Sequence, residues 1–228
     1  MPLLIENSLV FYHCPKTGGT WVREALKNAG LNLHEIIFPL FEGGVSGDQV
    51  IPINDIVHML PTKNPCTDFI TFSFVRHPLT WLQSTFKYLK KEGWNEEQNP
   101  IQRNIKSDTF KEFIIKYTSL YQGEASRQQL LYANPFLSLH SEEIVALSEK
   151  QKEILKSHAM DYVGRCENLV EDLLIALASL NLSKAQKETI RNTPKANVSD
   201  LSIDVEYDEE MKALVLNSEK KLIDLYYV

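Results

Sequence analysis

The chain has 228 residues, 43% of them hydrophobic, and a formal net charge of −6, which supports one substantial core and excludes the broad basic surface of a nucleic-acid binder. Cys14, Cys66 and Cys166 stand far apart in no C-x-x-C arrangement, so neither a disulfide framework nor a zinc site is expected and a reducing cytoplasm fits. Met1 to Ser8 lack a basic n-region and no stretch approaches eighteen apolar residues, so we expect one soluble, cytoplasmic domain over residues 1–228 without a transmembrane segment.

In chain order, Leu9-Val10-Phe11-Tyr12 is a short continuous apolar run, the pattern of a buried parallel strand. Cys14 to Trp21 then read C-P-K-T-G-G-T-W, and Val22 to Ala29 is amphipathic. That is strand, phosphate loop, helix. A helix after a strand points unsatisfied N–H groups over the sheet edge. Gly18 and Gly19 let the backbone approach an oxyanion, Thr17 and Thr20 add hydroxyls, and Lys16 supplies a point charge. The loop departs from the triphosphatase pattern G-x-x-x-x-G-K-S/T, because its lysine precedes the glycines. His34 and Glu35 follow soon after this helix.

Residues 38–65 are rich in Gly and Pro and read as loops around one short strand, Ile56 to Leu60, which carries His58. Ile70 to Val75 is a second apolar strand. Arg76 ends it, Pro78 opens a helix, and Leu79, Leu82, Phe86 and Leu89 mark that helix's buried face. Arg76 therefore stands at the carboxyl edge of the sheet, where ligands of open α/β sheets bind. Lys87, Lys90 and Lys91 read as a solvated helix end.

Residues 94–106 read as a polar surface connection. A helix is predicted from Asp108 to Tyr117 with Ser107 or Asp108 as its cap, and further helices over about 141–158, 168–180 and 206–226. The last should pack across the sheet. Arg127, Gln128 and Gln129 are candidates to face an acceptor.

Lys16 to Trp21 resemble, position by position, the P-K-S/T-G-T/G-T loop of sulfotransferases that use 3′-phosphoadenosine 5′-phosphosulfate (PAPS). Ile70 to Tyr88 is similar to that family's strand-Arg-x-Pro-helix segment, with Ser84 eight residues after Arg76. Asp161 to Leu177, D-Y-V-G-R-C-E-N-L-V-E-D-L-L-I-A-L, looks like its strand-Gly-Arg-aromatic-Glu-Asp/Asn-Leu-helix element, with Cys166 in place of the aromatic.

The resemblance implies an α/β fold, a three-layer sandwich with a central, mostly parallel sheet flanked by helices, P-loop nucleotide-hydrolase-like. It implies sulfuryl transfer from PAPS to a hydroxyl of a small molecule or carbohydrate, leaving 3′-phosphoadenosine 5′-phosphate (PAP), with no metal. Lys16, Thr17, Gly18, Gly19 and Thr20 would hold the 5′-phosphosulfate, Arg76 and Ser84 the 3′-phosphate, and Lys195, near Asn197 and Ser199, would return to the nucleotide. Trp21 would stack on the adenine or pack its helix. His58 would be the base, with His34, Glu35 and Glu42 in reserve; His13 and His77 read as structural. A metal-dependent kinase on the same scaffold and a non-catalytic PAP-binding module are the alternatives.

Overall fold

A computed structural model of the protein describes residues 2–36, 68–97, 99–196 and 202–228. The expected strand over 56–60 lies outside the described residues.

β1 (Leu3–Ile5) and β2 (Leu9–Tyr12) form an antiparallel hairpin. Its turn places Glu6 and Asn7 at φ 49 and 51, the left-handed pair that matches the twist of a tight hairpin. Asn32 holds this turn. Its backbone and side-chain amides donate to the Glu6 carboxylate at 2.8 and 3.1 Å, and Glu6 N–H donates to the Asn32 carbonyl at 3.0 Å. The clamp brings β3 (Leu33–Glu35) against β1, again antiparallel.

β4 (Ile70–Val75) pairs in parallel with β2, and β5 (Tyr162–Arg165) in parallel with β4, for the order β3-β1-β2-β4-β5. The α/β class is as expected. The sheet is only partly parallel: among the described residues two of its four pairings are antiparallel, the β1–β2 one because the three-residue turn Glu6–Ser8 folds the chain straight back on itself.

Alternation along β4 divides the core. Phe72 and Phe74, with Phe11 of β2 stacked on Phe72 at 5.2 Å, face α1 (Gly19–Asn28), α8 (Leu169–Ala176) and α9 (Lys184–Asn192) through Val22, Leu26, Leu173 and Ile190. Val75 turns to the opposite face, against Leu130 of α5 (Glu124–Ala133) and Leu222 of α11 (Lys220–Tyr226). A separate aromatic cluster joins α2 (Pro78–Glu92), α3 (Pro100–Ile105), α4 (Phe110–Leu120) and α10 (Glu209–Ser218).

Several boundaries differ from the sequence reading for local reasons. The segment read as a polar connection contains α3, capped by Asn99 and burying Ile101 and Ile105. The cap of α4 is Thr109, which accepts the Glu112 N–H at 3.2 Å. The stretch 141–158 divides into α6 (Ser141–Ala146) and α7 (Glu149–Ser157), since Ser148 and Gln151 form a capping box that starts a new helix. The stretch 206–226 breaks at Glu219, whose buried carboxylate accepts both the N–H and the hydroxyl of Ser126 at 2.7 Å. Only α11, after this break, reaches the cluster beneath the sheet; α10 packs on α2 and α4. Among the described residues no helix is long and apolar enough to cross a membrane.

Candidate functional site

The loop between β2 and α1 has an unusual backbone. Lys16 and Gly18 both take positive φ, 66 and 87, with Thr17 between them outside that region. Alternation of this kind turns successive amides toward one concavity, an anion-binding shape. The cost of holding a lysine there is about 1–2 kcal/mol. Two side chains from the neighbouring strand–helix unit grip the loop's carbonyls: Arg76 Nη1 donates to Lys16 O at 3.1 Å, and Trp81 Nε1 donates to Pro15 O at 3.2 Å.

Gly18 is the N-cap of α1, and among the described residues no side chain caps it. The amides of the first turn therefore face whatever occupies the loop. Gly19 has a different reason to be glycine, since a Cβ there would overlap the His13 imidazole, with Cγ at 2.5 Å. That ring stacks on Phe11 at 6.0 Å, and burial, aided by Arg23, lowers its pKa to about 4. His13 is thus a neutral packing residue beneath the loop. The Cys14 thiol, pushed far up by burial, is also unreactive.

The threonines divide. Thr17 is fully buried and its hydroxyl donates to Cys14 O at 2.8 Å, so its proton is committed inside the loop and only its backbone is available to an anion. Thr20 is exposed at the start of α1. The ammonium of Lys16 lies 4.3 Å over the Tyr88 ring, a cation–π contact at the loop mouth. Trp81 and Tyr88 are seven residues apart on α2, and Ser84 lies between them by helical spacing, on the face that meets the loop. Ser84 is buried.

Arg76 is held on three sides. Its N–H donates to Gln129 Oε1 at 2.6 Å, its Nε to Thr80 Oγ1 at 3.1 Å, and its Nη1 to the loop carbonyl. Glu167, two residues after the end of β5, accepts the His77 N–H at 2.9 Å, the Thr80 hydroxyl at 3.0 Å and the Tyr227 phenol at 2.8 Å. His77 caps α2 through Nδ1, and burial lowers its pKa, which keeps that nitrogen an acceptor. The carboxyl ends of β4 and β5 and the β2–α1 loop therefore meet at one place.

Trp21 takes the packing role of the two read from sequence. It is buried, and its indole N–H donates to Thr193 O at 3.1 Å. That bond fixes the segment carrying Lys195, which is exposed two residues later. His34 is exposed on β3, and Glu35 pairs with Arg23 of α1 at 3.0 Å. His58, Glu42, Asn197 and Ser199 lie outside the described residues.

Sequence reasoning passed over Trp81, Tyr88, Thr80 and Tyr227 and gave Glu167 no role. The first two were readable as an i, i+7 aromatic pair bracketing Ser84; the others depend on contacts across the fold. A cavity of about 490 Å³ opens elsewhere, between Phe86, Phe110 and Tyr207, and its charged lining mixes Lys90 and Lys111 with Asp108, Asp204, Glu206 and Asp208. Among the described residues no cluster of His, Cys, Asp or Glu is arranged to hold a metal. Comparison with protein-family models, with curated sequences and with solved structures found no match in any of the three.

Proposed function

We propose that the chain is a PAPS-dependent O-sulfotransferase on a three-layer, P-loop-type scaffold. The observation that carries the reading is the 3.1 Å bond from Arg76 to the Lys16 carbonyl. It joins, across 60 residues of sequence, the two segments expected to hold the two phosphate ends of one nucleotide. A nucleotide with a 5′-phosphosulfate and a 3′-phosphate needs two such anion sites side by side.

The residues suit that ligand. The loop amides and the uncapped start of α1 offer donors to the 5′-phosphosulfate, and the guanidinium fork of Arg76 offers bidentate geometry to the 3′-phosphate with Ser84 nearby on α2. In the transfer, the acceptor oxygen bonds to sulfur as the bond from sulfur to the phosphate oxygen breaks, and the acceptor proton passes to a base. His58 is our candidate base, with His34, Glu35 and Glu42 behind it. Lys16 leaves the Tyr88 ring to meet the charge growing on the bridging oxygen. A sulfuryl group carries less negative charge than a phosphoryl group, so fixed donors suffice without metal. The acceptor is a hydroxyl of a small molecule or carbohydrate.

Calorimetric titration with PAP, 5′-AMP and ATP, without metal, tests the reading. Tight binding of PAP over 5′-AMP and ATP is expected, with the preference lost in Arg76→Ala. Lys16→Ala should lower turnover more than PAP affinity, and His58→Asn should keep binding and lose transfer. Preference for ATP on adding magnesium would replace sulfuryl by phosphoryl transfer.

A further inference from the structure

We infer that Glu167 is a positioning residue that aims the Arg76 guanidinium through Thr80. This rests on the sulfotransferase reading for the ligand that Arg76 meets, though the link between the three side chains does not.

Thr80 has one hydroxyl proton and two acceptors within reach, His77 O at 3.1 Å and Glu167 Oε1 at 3.0 Å. The charged oxygen is the stronger acceptor. With the proton on Glu167, the lone pairs of Thr80 face the Nε–H of Arg76, and the polarised hydroxyl accepts more strongly. The relay therefore runs one way, from Arg76 to Thr80 to Glu167.

Glu167 is itself anchored at both oxygens. Oε1 also takes the His77 N–H, and Oε2 takes the Tyr227 hydroxyl. Burial and the neighbouring carboxylate push the Tyr227 phenol far up, so it remains a donor. Its ring also meets His77 edge-on at 4.9 Å. Strand β5, helix α2 and the segment after α11 thus converge on one exposed carboxylate. Nη1 of Arg76 is tied to the loop, so fixing Nε sets the plane of the guanidinium. The remaining N–H groups are then presented as a fork beside the phosphate loop.

The test compares Glu167→Ala, Glu167→Gln, Thr80→Val and Tyr227→Phe with Arg76→Ala. Glu167 is exposed, so its variants should fold. One readout is the affinity ratio of PAP to 5′-AMP. Glu167→Ala and Thr80→Val should lower it by about five-fold or more, Tyr227→Phe by about two-fold, and Glu167→Gln should restore most of it. In an Arg76→Ala background, Glu167→Ala should lower it no further. A second readout, free of any nucleotide, is the Arg76 Nε–H resonance, which should shift and exchange faster with water in Glu167→Ala and Thr80→Val.

A structural role alone would weaken PAP and 5′-AMP equally and leave the Arg76 resonance in place; that result overturns the inference. If the unaltered protein shows no preference for PAP while the resonance still responds, the sulfotransferase reading fails and the relay stands. If the preference exists and the resonance does not respond, the relay fails alone.

Discussion

The contact between Gly19 and His13 gives the sharpest test of the loop's architecture. A Cβ at position 19 would lie 2.5 Å from His13 Cγ and nearer to other ring atoms, whereas ordinary contact begins at 3.4 Å. The imidazole must withdraw by about 0.9 Å or more to make room. Its near-parallel stacking on Phe11, with ring centroids 6.0 Å apart, opposes that shift. Overpacking of a confined ring costs about 3 kcal/mol, and removing a helical glycine returns up to about 1 kcal/mol. Gly19→Ala should therefore destabilise by about 2 kcal/mol, or about 4–8 °C in Tm for a chain of this size. In a His13→Ala background the overlap is gone, and the same substitution should be neutral or mildly stabilising. Urea unfolding of the four proteins gives the coupling directly. An equal cost of Gly19→Ala in both backgrounds would refute the proposed contact.

Other outcomes follow from buried groups. His13 has its pKa lowered by burial to about 4, so the unfolded chain binds more protons between there and its ordinary value of 6.5. Stability from this group is full above pH 6.5 and is lost as pH falls toward 4, by at most about 3 kcal/mol; His13→Asn should flatten that part of a pH–stability curve. Glu219→Ala strands the Ser126 N–H and hydroxyl and should cost about 2–3 kcal/mol by urea unfolding, with Glu219→Gln costing less. Burial pushes the Glu219 pKa up, so its stabilising contribution is present below the ordinary carboxylate range and falls as pH rises through the folded value; the cost of Glu219→Gln should shrink from pH 5 to pH 8. Trp21→Phe removes the donor to Thr193 O and should cost about 1 kcal/mol, with unchanged stability arguing against that bond.

What was legible in the sequence was local. The apolar runs of β2 and β4 were read with their observed limits, because runs stopped by His13 and Arg76 leave little choice of boundary. The β2–α1 turn was readable for the same reason: glycines, lysine and helix start are neighbours in the chain. β1 and β3 were not seen, since three residues carry no period and their pairing is set by the Glu6–Asn32 clamp. α9 and α5 were missed where polar residues dominate one face. The long helix over 206–226 carried a continuous apolar stripe, and its break at Glu219 depends on Ser126, 93 residues away. Within the site, Thr17 was given a hydroxyl role that its bond to Cys14 O removes. The relay from Arg76 to Glu167 spans separate segments, so no spacing within one of them signals it.

The left-handed lysine of the β2–α1 loop bears on how portable this motif is. Lys16 is held in that conformation by Arg76 and Trp81, both supplied by a strand and helix that enter the chain more than fifty residues later. A peptide spanning residues 9–29, or the same stretch grafted onto another sheet, would carry the letters P-K-T-G-G-T without the carbonyl grips. Its lysine would relax to a right-handed or extended backbone, and the concavity of amides would open. The loop is thus a product of the parallel β2–β4 pairing, and it should gain protection from hydrogen exchange only when β4 docks.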